Sequence, residues 1–279
     1  MKLRFGGMLA AAASLILVFA TPGSSDPLAG VANFRDIGGY QTSDGRTLKR
    51  HVIYRSGELS GATPEDQRTL RSLQVRYEID LRTDTERKES PSRWGGHGPE
   101  VIAISVGMSR NSDPSRSLNL AELRNAEQAK NYMQQTTARL ALDGAADIGQ
   151  VMRRLADGSE PALIHCTAGK DRTGVTVAVL MTVLSVPRDQ VYREYSKSSE
   201  SADQQLERAK AREKSSASLR LTGIAPSALR MLMDADASYL DAAFRAIDKQ
   251  YGSFEGYTTN GLTITPQQIQ ALRAKLLEP

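Results

Sequence analysis

Cysteine is the residue whose scarcity says most about this 279-residue sequence, because the chain contains only one, Cys166. A single cysteine cannot form an internal disulfide, which excludes any fold held together by such bridges. The three histidines, His51, His97 and His165, are scattered and form no cluster at metal-ligand spacing. We therefore expect no metal and no other cofactor. The thiol of Cys166 is expected to have a chemical role.

Aromatic residues and excess charge are also scarce, which bears on the binding partners. Phe, Trp and Tyr make up 5% of the residues, and the formal net charge is only +4. There is no basic stripe that would follow a phosphate backbone, and no cluster of aromatic residues on which bases would stack. The composition predicts no nucleic-acid partner.

Apolar runs long enough to span a membrane are missing as well. The run Met8–Phe19 is shorter than the roughly 20 residues of a spanning helix, which argues against a membrane anchor. Basic residues precede this run and the small residue Ala20 follows it, the order of a secretory signal. We expect residues 1–20 to be a signal peptide. The mature protein, residues 21–279, is then exported to the periplasm or secreted and has no integral membrane segment.

The mature chain alternates strand and helix patterns in the way typical of a single α/β domain. Tyr77–Leu81 and Val101–Val106 have the pattern of strands, and Thr63 followed by Pro64 marks the start of a helix. This alternation predicts a central sheet of about four to five strands flanked by helices. The stretch Glu86–Pro99 is charged and then rich in glycine and proline, so we expect a mobile loop there.

The rest of the chain is organised around residues 161–187. Ala162–Ile164 is a short apolar run that predicts a buried strand, and Cys166–Arg172 is a polar loop. Thr173–Val186 is apolar on almost every side and is stopped by Pro187. Its valines would also suit a strand, but its length and the need to bury both faces favour a helix.

A polar loop between the carboxyl end of a strand and the first turn of a helix is a natural anion site. Free backbone N–H groups and the helix dipole meet there. Gly169 permits a tight turn, Arg172 provides a fork of donors that matches two phosphate oxygens, and Lys170 adds positive charge. The same field stabilises Cys166 as a thiolate nucleophile. Together these residues point to attack at phosphorus.

One segment matches the signature of the protein tyrosine phosphatase superfamily. It consists of His165-Cys166, five further residues, and Arg172-Thr173-Gly174. In the form HCTAGKDRTG it resembles the bacterial secreted branch of that superfamily. Asn33–Gly39, Tyr54–Gly57 and Asp80–Arg82 also match this branch, so the resemblance covers most of the chain after Ser25.

The resemblance implies a cysteine-phosphatase fold and assigns roles within the loop. Cys166 and Arg172 would be catalytic, and His165 would support the loop. The phosphate-binding positions would be Thr167, Ala168, Gly169, Lys170, Thr173 and Gly174. One member of the branch has a helical lid over its active site, and by that resemblance alone residues 196–234 are expected to form one. The mixed charges of that stretch, taken by themselves, indicate an ordinary solvated helix.

Breaking a phosphoester requires an acid for the leaving oxygen, and Asp80, Asp84 and Asp171 are the candidates. The resembling branch lacks the usual Trp-Pro-Asp loop and implicates the aspartate inside the phosphate loop and the one that opens the Asp-Leu-Arg motif. Those are Asp171 and Asp80 here. Asp80 is equally well explained as a structural carboxylate that pairs with Arg82 or with a loop N–H. Asp171 is the better candidate.

The sequence therefore predicts a cysteine-dependent phosphatase that hydrolyses phosphotyrosine, with dual specificity open, through a phosphocysteine intermediate. A phosphoinositide lipid phosphatase is an alternative, because Lys170 favours a highly charged head group, whereas Thr167 weakens that case. A non-catalytic phosphate-binding module is a second alternative, although it would not need both Cys166 and Arg172. A reductase of the arsenate type normally requires further thiols, which the chain lacks. The expected partner is a phosphorylated protein or a phosphoinositide.

Overall fold

The computed structural model describes residues 28–107, 120–158, 161–201, 206 and 224–279. The predicted signal peptide lies outside the described residues. So does most of the predicted lid, since residues 202–205 and 207–223 are not among them.

A mixed sheet forms the centre of the fold. Within the described residues its strands are β1 (Arg35–Asp36), β3 (Ile53–Ser56), β4 (Tyr77–Asp80), β5 (Glu100–Ala103) and β6 (Ala162–His165). They run in the order β1-β3-β6-β4-β5, with β1 antiparallel and the other four parallel. The predicted α/β sheet of about four to five strands is confirmed. A separate pair, β2 (Thr47–Leu48) and β7 (Leu277–Glu278), ties the end of the chain back to the domain.

Helices surround this sheet, and their bounds are as follows. They are α1 (Pro64–Ser72), α2 (Asp84–Glu89), α3 (Ala126–Asp143), α4 (Ala145–Asp157), α5 (Asp171–Val183), α6 (Arg188–Ser196), α7 (Pro226–Met233), α8 (Ala237–Tyr251) and α9 (Pro266–Leu276). A 3₁₀ turn, Lys197–Ser201, continues α6. None of these described helices is long and apolar enough to cross a bilayer.

Both faces of the sheet are buried, as the short apolar strand β6 predicts. Ala162 and Ile164 point into the large core formed with most of the helices. Leu163 points to the opposite face, into a smaller cluster that includes Leu70 of α1 and Trp94. Strand β6 therefore lies at the centre of the fold. Packing on both faces of this strand fixes the position from which the loop beginning at Cys166 starts.

Helix α5 confirms the interpretation of Thr173–Val186 as a buried helix rather than a strand. Nearly every side chain from Thr173 to Val183 is buried, on all sides of the helix. The helix ends where Ser185 takes a left-handed conformation (φ +66°) two residues before Pro187. A helix packed on all sides is a fixed base for the loop at its amino end.

The prediction of a mobile loop from Glu86 to Pro99 is wrong for its first residues. Glu86 to Glu89 belong to helix α2, which begins with a capping box. The Thr83 side chain accepts from the Glu86 N–H, and the Glu86 carboxylate accepts from the Thr83 N–H. The spacing Thr83-x-x-Glu86 is the signal that identifies this helix start.

Candidate active site

The register of the sheet brings the predicted site residues to one edge. Ser56 and Asp80 both pair with His165, so the carboxyl ends of β3, β4 and β6 are level. Cys166 follows β6 directly, and helix α5 begins at Asp171. The loop between them therefore lies at the edge of a parallel sheet where ligand sites of α/β proteins are found.

Gly169 gives this loop its shape. Its φ is +71°, and a Cβ at this position would lie 2.4 Å from the backbone nitrogen of Gly57. Only glycine meets both conditions without strain. In this conformation the Gly169 N–H donates to the sulfur of Cys166 at 3.3 Å, a contact that stabilises negative charge on that sulfur.

The loop carbonyls are bound by residues outside the loop. The Glu58 N–H donates to the Thr167 carbonyl at 3.0 Å. The Asn33 amide donates to the Ala168 carbonyl at 2.8 Å, and the Arg55 guanidinium donates to the Gly169 carbonyl at 2.5 Å.

Because a trans peptide unit directs its N–H away from its C=O, these three bonds turn the following N–H groups to the other side of the loop. That side is the cradle in which an anion is held. The motifs Asn33–Gly39 and Tyr54–Gly57 thus support the loop from behind, a role that the sequence did not indicate.

Glu86 binds the guanidinium of Arg172 through a bidentate salt bridge. The two guanidinium–carboxylate distances are 2.8 and 2.7 Å, and the Thr167 hydroxyl donates to the same carboxylate at 2.5 Å. Burial alone would raise the pKa of Glu86, but the hydrogen bonds and charge of Arg172 outweigh it and hold that pKa well below its usual range. Glu86 therefore stays ionised and fixes the fork of Arg172. Sequence reasoning missed this residue.

Asp80 lies in a buried network of charged side chains. Its carboxylate accepts from Arg82 Nη2 at 2.7 Å and Nε at 2.9 Å, and the residue is buried. Burial would raise the pKa of Asp80, yet the bonds from Arg82 and the charge of His165 lower it overall. This geometry favours the structural interpretation of Asp80.

His165 belongs to the same network. Its Nε2 lies 2.9 Å from the Glu78 carboxylate and its Nδ1 lies 3.3 Å from the Cys166 carbonyl. The indole N–H of Trp94 donates to the other oxygen of Glu78 at 2.7 Å. These contacts fix the ring beside the nucleophile, which agrees with the expected loop-supporting role.

The groups of Glu78, Asp80 and His165 come within 4.8 Å of one another, close enough in principle for a metal ion. They do not fit one chemically. The positive guanidinium of Arg82 already binds Asp80, and both oxygens of Glu78 already accept hydrogen bonds, as described above. A metal ion would have to displace the guanidinium of Arg82 from Asp80. The cluster is a hydrogen-bonded support for the loop.

Asp171 is the candidate acid that lies within the loop. Its carboxylate accepts from the Lys170 ammonium at 2.6 Å, and its side chain is 31% exposed whereas that of Lys170 is 2% exposed. Asp84, in contrast, is 86% exposed and pairs with Arg87 on α2. Of the three aspartates, Asp171 combines access with a position at the loop.

Thr173 and Gly174, two of the predicted phosphate-binding positions, have contacts that differ from that prediction. Among the described residues, the buried hydroxyl of Thr173 has no hydrogen-bond partner. The Gly174 N–H donates to the Lys170 carbonyl inside the helix and is not free for a phosphate. A Cβ on Gly174 would lie 2.7 Å from the Tyr195 ring, so this glycine serves the packing of α5 on α6.

Four carboxylates around the loop, three of them buried and one, Glu86, partly buried, predict a loss of stability in acid. The pKa values of Glu78, Asp80, Glu86 and Glu194 are all lowered in the folded state by cationic or hydrogen-bonding partners that outweigh burial. Groups of this kind stabilise the fold above their unfolded pKa values, near 4, and lose that contribution as the pH falls below them. We expect the melting temperature to fall by on the order of 10 °C between pH 5 and pH 3.

Calorimetric or circular-dichroism melts at pH 7, 5, 4 and 3 measure this effect. Glu194→Gln, which removes one of the four groups, should flatten the acid limb. A melting temperature that stays constant down to pH 3 would contradict the prediction.

Comparisons with known proteins give the following similarities. Residues 26–278 match the sequence profile described as the tyrosine phosphatase family. A candidate tyrosine-protein phosphatase of Cupriavidus necator is 30% identical over 242 residues, which is 86% of this chain and 85% of that protein. The triple specificity protein phosphatase PtpB of Mycobacterium tuberculosis is 27% identical over 289 residues, covering 90% and 98% of the two chains. A crystal structure of TpbA from P. aeruginosa aligns with a TM-score of 0.28 at 16% identity, over 54% of this chain and 71% of that one.

Proposed function

This chain belongs to the tyrosine phosphatase family, and we propose from that premise that it hydrolyses phosphotyrosine through a phosphocysteine on Cys166. One observation carries the proposal. The nucleophile, a backbone donor to its sulfur and a carboxylate-fixed arginine fork are all held on one loop at the amino end of α5. This is the arrangement needed for in-line transfer of a phosphoryl group.

The reaction then has two steps. The Cys166 thiolate attacks phosphorus, the S–P bond forms, and the bond to the tyrosine oxygen breaks as Asp171 donates a proton to that oxygen. Arg172 and the loop N–H groups bind the three equatorial oxygens. Water then attacks the phosphocysteine while the Asp171 carboxylate takes its proton, and inorganic phosphate and the thiolate are released.

The environment of Lys170 favours phosphotyrosine over phosphoinositides as the substrate. Its side chain is 2% exposed, and its ammonium binds the neighbouring Asp171 at 2.6 Å. An amine used in this way is not presented to additional phosphates of a lipid head group. The name of the mycobacterial relative includes triple specificity, so substrates other than phosphotyrosine belong in the test.

The test compares turnover of a phosphotyrosine peptide, a phosphoserine peptide and phosphoinositides by residues 21–279 under reductant. Cys166→Ser is the control for contaminating activity. We expect the highest kcat/KM for the phosphotyrosine peptide. Preference for the lipids would replace the substrate assignment, and no turnover of any substrate would favour a phosphate-binding module.

The assignment of Asp171 as general acid gives a separate prediction. Asp171→Asn should lower kcat/KM, which reports on the steps up to departure of the leaving group, by about 10²-fold for phenyl phosphate, whose leaving group needs protonation. The loss of kcat/KM should be small for 4-nitrophenyl phosphate, because nitrophenolate departs without a proton.

Asp80→Asn is the matched control for that experiment. Asp80 is bound by Arg82, so its loss should reduce both rates by a similar factor through the loss of stability. If Asp80→Asn shows the leaving-group dependence and Asp171→Asn does not, the two roles are reversed.

Export and domain organisation are further parts of the proposal. The order of charged, apolar and small residues in positions 1–20 supports a signal peptide. Residues 21–279 then form one exported catalytic domain. Amino-terminal sequencing of exported material should begin near Thr21, and an intact Met1 or Lys2 would contradict cleavage.

A further inference from the structure

A cavity of about 650 Å³ lies at the edge of the sheet opposite the phosphate loop. It opens where β4, β5 and β6 begin, between the end of α1 and the segment 94–99. The Arg76 N–H donates to the Pro161 carbonyl at 2.7 Å, and the Glu100 N–H donates to the Arg76 carbonyl at 3.0 Å, so the three strand starts are level. Cys166 lies at the other end of β6, roughly 16 Å from Pro161 along an extended strand. The cavity is therefore separate from the site at Cys166.

The buried part of the cavity wall is apolar. Leu70 and Trp94 are buried members of the smaller core cluster, and the partly buried Val75 packs against that cluster. The Trp94 indole is fixed in place because its N–H donates to the Glu78 carboxylate at 2.7 Å. A fixed aromatic ring beside aliphatic side chains offers a surface for the ring or hydrocarbon part of a ligand.

The exposed part of the wall is basic. Arg71, Arg76 and His97 contribute to it, and none of the described residues that line the cavity is acidic. Arg71 is held by its Nη1, which donates to the Trp94 carbonyl at 3.1 Å and to the Gly95 carbonyl at 3.0 Å. The Arg76 side chain makes no hydrogen bond or ion pair within the described part of the chain, so its donors are available to a ligand.

Size and charge together define what this cavity accepts. Its volume is within the range of small-molecule sites, which combine an apolar surface with a few polar groups that fix the orientation of the ligand. Arginine guanidinium groups match the geometry of carboxylate and phosphate groups. A ligand whose anionic group contacts Arg71 and Arg76 would place its apolar part on the side of Trp94.

We propose that the cavity is a second anion site of this protein, which binds a small organic anion. The anionic group is bound by Arg71 and Arg76, and an aromatic or aliphatic part packs against Trp94 and Leu70. The proposal goes beyond the phosphatase reaction and does not depend on it, because no residue that lines the cavity belongs to the phosphate loop.

Trp94 provides the readout for a binding experiment with benzoate as the probe. It is the one tryptophan of the chain, so its indole N–H gives a single, unambiguous signal in a proton–nitrogen NMR spectrum. Benzoate should shift this signal along a saturating curve, with a dissociation constant on the order of a millimolar for so small a ligand. Benzylamine, which carries a similar ring and the opposite charge, should leave the signal in place. A response to benzylamine equal to that of benzoate, or a shift that does not saturate, would overturn the proposal.

Arg76→Met and its control Arg93→Met test whether the cavity is where benzoate binds. Arg93 precedes Trp94 in the sequence but is not among the residues that line the cavity. Both side chains are exposed, so neither change should prevent folding. Arg76→Met should weaken benzoate binding about fivefold, the scale of one charge pair at a partly exposed site. Arg93→Met should keep the wild-type dissociation constant, and equal constants in all three proteins would overturn the proposal.

The phosphate loop is a competing anion site, and a ligand bound there would also reach Trp94, through His165 and Glu78. Arg172→Lys separates the two sites. Benzoate binding in this variant should stay within twofold of wild type, whereas its loss there, with none in Arg76→Met, would overturn the proposal. Failure of the wild type to hydrolyse phosphotyrosine would overturn the proposed function and would leave the benzoate result intact.

Discussion

Replacing Cys166 with serine is expected to lower the turnover of phosphotyrosine by roughly 10⁴-fold or more, the scale seen when a covalent nucleophile is removed. At neutral pH a serine hydroxyl is protonated, and the backbone N–H of Gly169 that contacts the Cys166 sulfur cannot accept its proton. The neighbouring His165 is committed to Glu78 and to the Cys166 carbonyl. The covalent step therefore loses its nucleophile while the cradle is preserved.

Two measurements separate this loss from misfolding. Phosphate or a phosphotyrosine peptide should still bind the serine variant in calorimetry, because Arg172 and the loop N–H groups are unchanged. A rapid acid quench of the wild type with labelled substrate should trap phosphate on the protein, and the variant should trap none. Turnover within tenfold of wild type in Cys166→Ser would exclude the phosphocysteine route.

The sequence predicts the loop better than it predicts the surroundings of the loop. Residues 161–187 carry a local pattern of strand, polar loop and buried helix, and the structure confirms each part. Local patterns of this kind are readable because neighbouring residues determine them. The nucleophile and the arginine fork could thus be identified without coordinates.

The residues that hold the loop were not predictable in the same way. Glu86 reaches Arg172 across 86 positions of the chain, and Arg55 reaches Gly169 across 114. Such pairs are set by the order of strands in the sheet, which places β3 and β4 on either side of β6. The resemblance marked the segment that contains Arg55 as matching but gave no reason for it.

The choice between Asp80 and Asp171 as the general acid depends on structural information that the sequence does not contain. Asp171 lies between Lys170 and Arg172, Asp80 lies two residues before Arg82, and the sequence leaves Asp80 open to a catalytic or a structural role. The difference lies in burial and partners. Asp80 has no exposed surface and binds Arg82, whereas the Asp171 side chain is 31% exposed at the loop.

Arg172→Lys is expected to lower kcat/KM by about 10³-fold, in line with the loss of other arginines that bind a transferring phosphoryl group. Lysine keeps the charge but offers no planar fork, so it cannot bind Glu86 through two bonds and still face two phosphate oxygens. The ionised carboxylate of Glu86, 2.7 Å from the guanidinium in wild type, would attract the ammonium away from the substrate.

Steady-state kinetics on a phosphotyrosine peptide measure this loss, with Arg68→Lys as the control for an arginine in an exposed ion pair on α1. The ionised Glu86 left without its bidentate partner should also repel the substrate dianion, so KM should rise along with the fall in kcat. Removing that carboxylate as well, in Arg172→Lys/Glu86→Gln, should restore part of KM but little of kcat, because the lost fork acts in the transition state. If Arg172→Lys keeps more than a tenth of the wild-type kcat/KM, a positive charge at position 172 is sufficient for catalysis. The orientation that Glu86 gives to the guanidinium is then not required.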